Sequence, residues 1–157
     1  MATSFEDLRI LQDAEESADK IWKQVVQWDE FARDVVGKQL ARSADSLGAN
    51  IAESFGRFNF GEKLQFLYYA RGSLFETKYW LNRTKARGLM PASEVQGYIT
   101  QLTIIAKQLN AFAESLKSQR ASGKTIRELA AEYKVDFPDS FSETLFDESD
   151  LEWLQSS

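Results

Sequence analysis

Neither histidine nor cysteine occurs in this chain of 157 residues. Without cysteine there can be no disulfide, thiolate metal site or thiol nucleophile. Without histidine the chain has no residue that changes charge between pH 5 and 8, and it lacks the commonest metal ligand. Zinc sites, most hydrolase triads and the Glu-x-x-His di-iron motif of helical proteins are therefore out of reach. No phosphate-binding glycine loop occurs either, and the expectation is a protein that is not an enzyme, with no cofactor and no metal. Proline is scarce, with two residues, as suits long helices. No apolar run approaches about 18 residues, and the opening MATSFEDLRI has no signal-like core, so the sequence predicts no membrane contact and a cytoplasmic location.

What the chain does contain is helical periodicity. Ser4 is a candidate cap for a first helix, with Asp7 three positions on, followed by Leu8, Leu11, Ala14, Ala18, Ile21, Trp22 and Val25 at helical spacing. A break is expected near Trp28 to Glu30. A second helix then runs to about Phe55, with Val36, Leu40, Ala44, Leu47, Ile51 and Phe55 on one arc. Gly56 to Gly61 reads as a loop. The third helix, about Gly61 to Arg87, is apolar on two sides. Phe66, Leu67, Ala70, Leu74, Trp80 and Leu81 form one stripe; Leu64, Tyr68, Phe75 and Tyr79 form another. A second stripe predicts a second contact surface, read here as an oligomer interface. Gly88 suits a helix C-cap, and Pro91 with Ser93-x-x-Gln96 opens a fourth helix. In that helix Val95, Tyr98, Leu102, Ile105, Leu109, Phe112 and Leu116 recur in heptad fashion. The predicted fold is all-α, an antiparallel up-down four-helix bundle over residues 1–118. Residues 119–157 read as a linker, a short amphipathic helix at Thr125 to Lys134 and an acidic, aromatic tail.

The net charge of −5 belongs to that tail. Val135 to Ser157 holds Asp136, Asp139, Glu143, Asp147, Glu148, Asp150 and Glu152 and no basic residue, while the body is close to neutral. Phe146, Leu151, Trp153 and Leu154 are the candidate anchors by which such a tail engages a groove on a neighbouring subunit or a separate protein partner. Basic residues cluster weakly: Lys78, Arg83, Lys85 and Arg87 near the end of the third helix, and Lys117, Arg120 and Lys124 after the fourth. The first group is the candidate nucleic-acid contact, although cations in a last helical turn also serve the helix dipole.

A polar strip flanks the apolar arc of the second helix, formed by Ser43, Ser46, Asn50 and Glu53. With Gly72, Ser73 and Glu76 of the third helix it makes a candidate helix crossing, where hydroxyls and an amide bond one another and glycine permits close approach. Two glutamates could in principle attract a hard cation, but too few oxygens converge.

Two blocks carry a family resemblance. In QLARSADSLGANIAES, the residues Gln39, Leu40, Arg42, Ser46, Asn50, Ile51, Ala52 and Glu53 fit a pattern that ends in Asn-Ile-Ala-Glu-Gly. In FLYYARGSLFET, Ala70, Gly72, Ser73, Leu74 and Glu76 fit Ala-x-Gly-Ser-Leu-x-Glu. Over about residues 5 to 118 the chain resembles the four-helix-bundle family of 23S rRNA intervening-sequence proteins, related to the accessory variability proteins of retroelements. The resemblance implies a four-helix bundle and a ring-like homo-oligomer, commonly a pentamer. For function it offers a self-assembling scaffold or adaptor and, alternatively, a nucleic-acid-associated accessory to a reverse transcriptase or to ribosomal RNA. This sequence departs from the family pattern at Ser54, where glycine is usual, and at Gly48, where proline or alanine is common. It departs also in its acidic balance and in the tail beyond Lys117.

Overall fold

In the computed structural model, which describes residues 5–122 and 144–157, every regular element is helical. Helix α1 spans Phe5–Val25, and its Ile10, Ala14, Ala18, Ile21 and Val25 are buried. The chain turns at positions 26–29, where Asp29 accepts a hydrogen bond from the Ala32 amide at 3.0 Å and caps the next helix. That helix begins as α2 (Glu30–Ala32), widens through a π-helical stretch at Arg33–Gly37 and continues as α3 (Lys38–Gly56). Sequence periodicity anticipated one uninterrupted helix here. The wide turn sits against the end of α1, and a Cβ on Gly37 would lie 2.6 Å from Cγ1 of Val25. A close approach of this kind needs glycine.

Asn59, not a glycine, starts the third long helix, its side chain accepting from the Glu62 amide at 2.7 Å. Helix α4 spans Phe60–Ala86, so the expected loop shrinks to positions 57–59, and Gly61 is buried in the first helical turn. Lys63 explains the tight corner. Its ammonium donates to the carbonyls of Ser54 and Phe55, each at 3.2 Å, and so satisfies the end of α3. Gly88 ends α4 with φ +70°, a left-handed conformation that suits a residue without Cβ. Helix α5 runs Ala92–Ser122, four residues past position 118, so it takes in the start of the expected linker. Its heptad residues Val95, Leu102, Ile105, Leu109, Phe112 and Leu116 are buried and Tyr98 is half-buried.

The four long helices pack in a closed cycle: α1 on α3, α3 on α4, α4 on α5 and α5 back on α1. One hydrophobic core fills the middle. The apolar stripe of α3 reads true, with Val36, Leu40, Ala44, Leu47 and Ile51 all buried.

Residues 144–157 return to this body. A last helix, α6 (Glu148–Gln155), carries a capping box in which Asp147 and Asp150 each bond the other's backbone amide. It packs on α5. The amphipathic segment predicted at Thr125 to Lys134 lies outside the described residues, as do Ser4, Lys124 and the acidic residues Asp136, Asp139 and Glu143. Among the described residues no helix is long and apolar enough to cross a membrane.

Candidate functional site

The α3–α4 crossing brings together most of the polar strip. Asn50 donates through Nδ2 to the Ser46 carbonyl at 2.9 Å and lies 3.3 Å from the Ser46 hydroxyl and 3.4 Å from that of Ser73. The Ser73 and Ser46 hydroxyls are 3.0 Å apart. Deeper in, Ser43 donates to the Leu40 carbonyl at 3.0 Å and stands 3.1 Å from the hydroxyl of Thr77, which is also 2.8 Å from the Ser73 carbonyl. Thr77 is fully buried, and sequence reading missed it. Its signal was present one turn beyond Ser73, on the same helix face.

Three members of the expected crossing, Glu53, Gly72 and Glu76, behave otherwise, all three being exposed. Glu53 is exposed and pairs with Arg57 one turn along its own helix. Gly72 is exposed, and a Cβ added there would meet no atom within 4 Å, so glycine is not what lets these helices approach. Small hydroxyl side chains do that. Gly48 instead faces α1, where an added Cβ would lie 3.9 Å from the Ala14 Cβ.

Above the seam an open groove of about 500 Å³ is lined by Arg42, Ser43, Ser46, Asn50, Tyr68, Tyr69, Gly72, Ser73 and Glu76. Its floor is neutral. Arg42 is engaged with Gln39 at 2.7 Å, and Glu76 is exposed on the rim. Nothing on its lining pairs a nucleophile with a base. Among the described residues no three acidic side chains gather as metal ligands.

The second apolar stripe of α4 divides three ways. Leu64 is a core residue with 1% of its surface exposed, so it has no side chain to offer another subunit. Tyr68 is half-buried and Tyr79 is half-exposed. Phe75 lies under the chain's own C-terminal segment, its ring centroid 5.7 Å from Phe146 and 5.4 Å from Trp153.

That segment is held by a set of specific contacts. Leu145, Phe146 and Leu154 are buried. Asn110 of α5 reads the backbone of Phe146 on both sides: Nδ2 donates to its carbonyl at 2.8 Å, and Oδ1 accepts from its amide at 2.7 Å. Arg71 of α4 donates through Nε to the Leu145 carbonyl at 2.7 Å, reaches Asp150 at 3.4 Å and lies over the Phe75 ring at 4.6 Å. Lys78 closes the far end by donating to the Ser156 carbonyl, with the Trp153 ring 5.6 Å from its ammonium.

Lys78 therefore has a different place from the one its sequence position suggested. It is fully buried under the tail and is withdrawn from any nucleic-acid surface. Burial, followed by the nearby charge of Lys85, lowers its pKa. Arg83 is half-buried with its guanidinium 5.8 Å from the Tyr79 ring, Lys85 is half-buried and Arg87 is exposed. Of the tail anchors, Phe146 and Leu154 are the buried ones. Leu151 is half-buried, and Trp153 keeps 42% of its surface exposed.

The family model of the 23S rRNA-intervening sequence protein matches residues 6–111, well over half of the chain. This chain belongs to that family. Both motif blocks fall inside the match, and they form the α3–α4 seam. The docked segment lies beyond the match. No curated protein matches the chain.

Proposed function

We propose that this 23S rRNA-intervening sequence protein is a non-enzymatic, self-assembling scaffold or adaptor. In this reading its body is an up-down four-helix bundle, it works in the cytoplasm, and its C-terminal segment is an interaction element. Support comes first from large apolar side chains exposed around the α1–α2 connection: Phe31 is 78% exposed, Trp22 57%, Val26 46% and Val35 44%. Exposed apolar side chains grouped in this way mark contact surfaces more often than idle ones. The polar groups inside the seam bond one another, which suits a fixed helix pairing and leaves no acid–base pair for chemistry. Family resemblance sets the expected assembly as a ring of about five copies, and multiplication of weak faces around a ring suits a scaffold. Light scattering on the purified chain at tens of micromolar tests this. A mass several times that of the 17.9 kDa chain is expected, and a monomer overturns the reading.

A second reading, a nucleic-acid-associated accessory protein, draws on Arg83, Lys85 and Arg87 at the end of α4. Its reach is smaller without Lys78. Retardation of RNA or DNA in a gel that falls steeply with salt is the expected sign, and no retardation at low salt removes it.

A further inference from the structure

The α4–α5 cleft that holds the C-terminal segment has the chemistry of a peptide receptor. Asn110 pairs with both backbone groups of one residue, an arrangement that reads a peptide backbone whatever its side chain. Arg71 takes the preceding carbonyl and a carboxylate one helical turn on, and Lys78 takes a carbonyl at the segment's end. Between these fixed points two buried pockets take Phe146 and Leu154. An empty cleft would open apolar surface, Phe75 included, to water. Lys78 has no carboxylate partner among the described residues, and Asn110 would lose both of its backbone bonds.

The connection to this segment is much longer than the return requires. Positions 123 to 143 separate the end of α5 from Thr144. Along α5, Asn110 lies only about 18 Å back from Ser122, at the helical rise per residue. The intervening chain can reach at most about 70 Å when extended. A connection with that surplus lets the segment seat on a neighbouring copy as well as on its own body. Every contact is kept in such an exchange, because the receptor and the segment are identical in each copy.

We propose that in the assembled protein residues 144–157 seat in the α4–α5 cleft of a second copy, exchanging arms between neighbours. This rests on the self-assembly reading and adds to it the residues that join the copies. Held in a neighbour, the arm supplies Phe146 and Leu154 to a cleft that is incomplete without them, and it turns weak face-to-face contacts into a linked ring. Effective concentrations near millimolar favour this seating once copies are assembled.

The absence of cysteine makes the test direct. The Phe75→Cys/Trp153→Cys double variant of the full chain, treated with a short thiol–thiol cross-linker, reports which copy each arm occupies. Covalent dimers and higher species on a denaturing gel are expected. Cross-links confined to single chains, or none at all, overturn the exchange. A complementation pair guards against loss of docking in that variant. A tagged Arg71→Glu/Asn110→Ala chain, with a spoiled cleft, is mixed with an untagged Phe146→Asp/Leu154→Asp chain, with a spoiled arm. Severalfold more co-capture is expected than between two arm-spoiled chains, and capture equal to that background also overturns the proposal. Light scattering separates the two failures. An oligomer whose cross-links are all intrachain removes only the exchange, whereas a monomer removes the assembly reading too.

Discussion

At the level of single residues, burial decides what each polar group does. Gly72 is the sharpest case. Sequence pattern made it the small residue of a helix crossing, yet open space surrounds the position a Cβ would take. It sits in the interior of α4 with ordinary helical backbone, so a methyl there reduces unfolded-state freedom at no steric cost. Gly72→Ala is expected to raise stability by about 0.5–1 kcal/mol in thermal or urea unfolding. A loss of stability would mean that the position is covered in the assembled protein. Lys78 gives the second residue-level prediction. Its folded pKa is lowered, by burial first and by Lys85 second. Between that lowered value and the ordinary lysine value, the unfolded chain holds a proton that the folded chain has released. Stability from this group therefore rises with pH in that window and is flat below it. Lys63 shifts the same way by burial, so the comparison must be with a variant. Lys78→Met is expected to flatten the rise measured on the acid side of the ordinary lysine value, short of the range where Tyr98 titrates, since burial raises the Tyr98 pKa. An unchanged slope would show that Lys78 is hydrated when folded.

Among the helices and the tail, legibility in the sequence followed periodicity and failed where a single contact set the outcome. The heptad of α5 and the arc of α3 are amphipathic patterns, and their residues are buried as the pattern requires, except that Tyr98 and Phe55 are half-buried at its edge. Residue spacing carries no sign of the π-helical turn, because its setting is the contact between Gly37 and Val25 across two helices. The second stripe of α4 was visible, but its covering was not. A helix apolar on two sides predicts two partners without saying whether the second is another subunit or a distant part of the same chain. Here Phe75 meets Phe146 and Trp153, more than seventy positions away in sequence. Helix α6 did have a local signal, since Asp147-x-x-Asp150 before Leu151 and Leu154 is a capping pattern with an apolar follow-on. Composition obscured it, because the acidic residues that cap this helix also make the segment look like an unstructured tail. Asn110→Ala tests how that element is held. It removes both bonds to the Phe146 backbone, and the expected cost is about 1–3 kcal/mol confined to the tail. Amide hydrogen exchange checks this: Phe146 and α6 should lose protection while the α3–α4 seam keeps its own. Equal loss in both would make the segment part of one cooperative unit with the body.

For the molecule as a whole, the seam and the tail have different jobs. The hydroxyl-and-amide seam lies inside the family match and fixes how α3 meets α4. Its polar groups are spent on one another, which explains why residues that look like a site in sequence form a joint in the fold. In the scaffold reading proposed above, outward function falls to surfaces. Sequence reading looked for the assembly face on α4, but Leu64 is in the core and Phe75 is under the tail, leaving Tyr68 and Tyr79. The largest exposed apolar side chains lie elsewhere, with Trp22, Val26, Phe31 and Val35 bracketing the connection from α1 to α2. Burying an aromatic side chain is worth about 1.5–3 kcal/mol, so two such anchors can hold a contact between copies. Trp22→Glu/Phe31→Glu is therefore expected to lower the mass seen by light scattering at a concentration where the parent chain is assembled. The helical content and melting of each copy should change little, because both side chains project into solvent in the single chain. If the charged pair leaves the mass unaltered, assembly does not run through the α1–α2 corner, and the exposed half of the α4 stripe at Tyr79 becomes the face to change next.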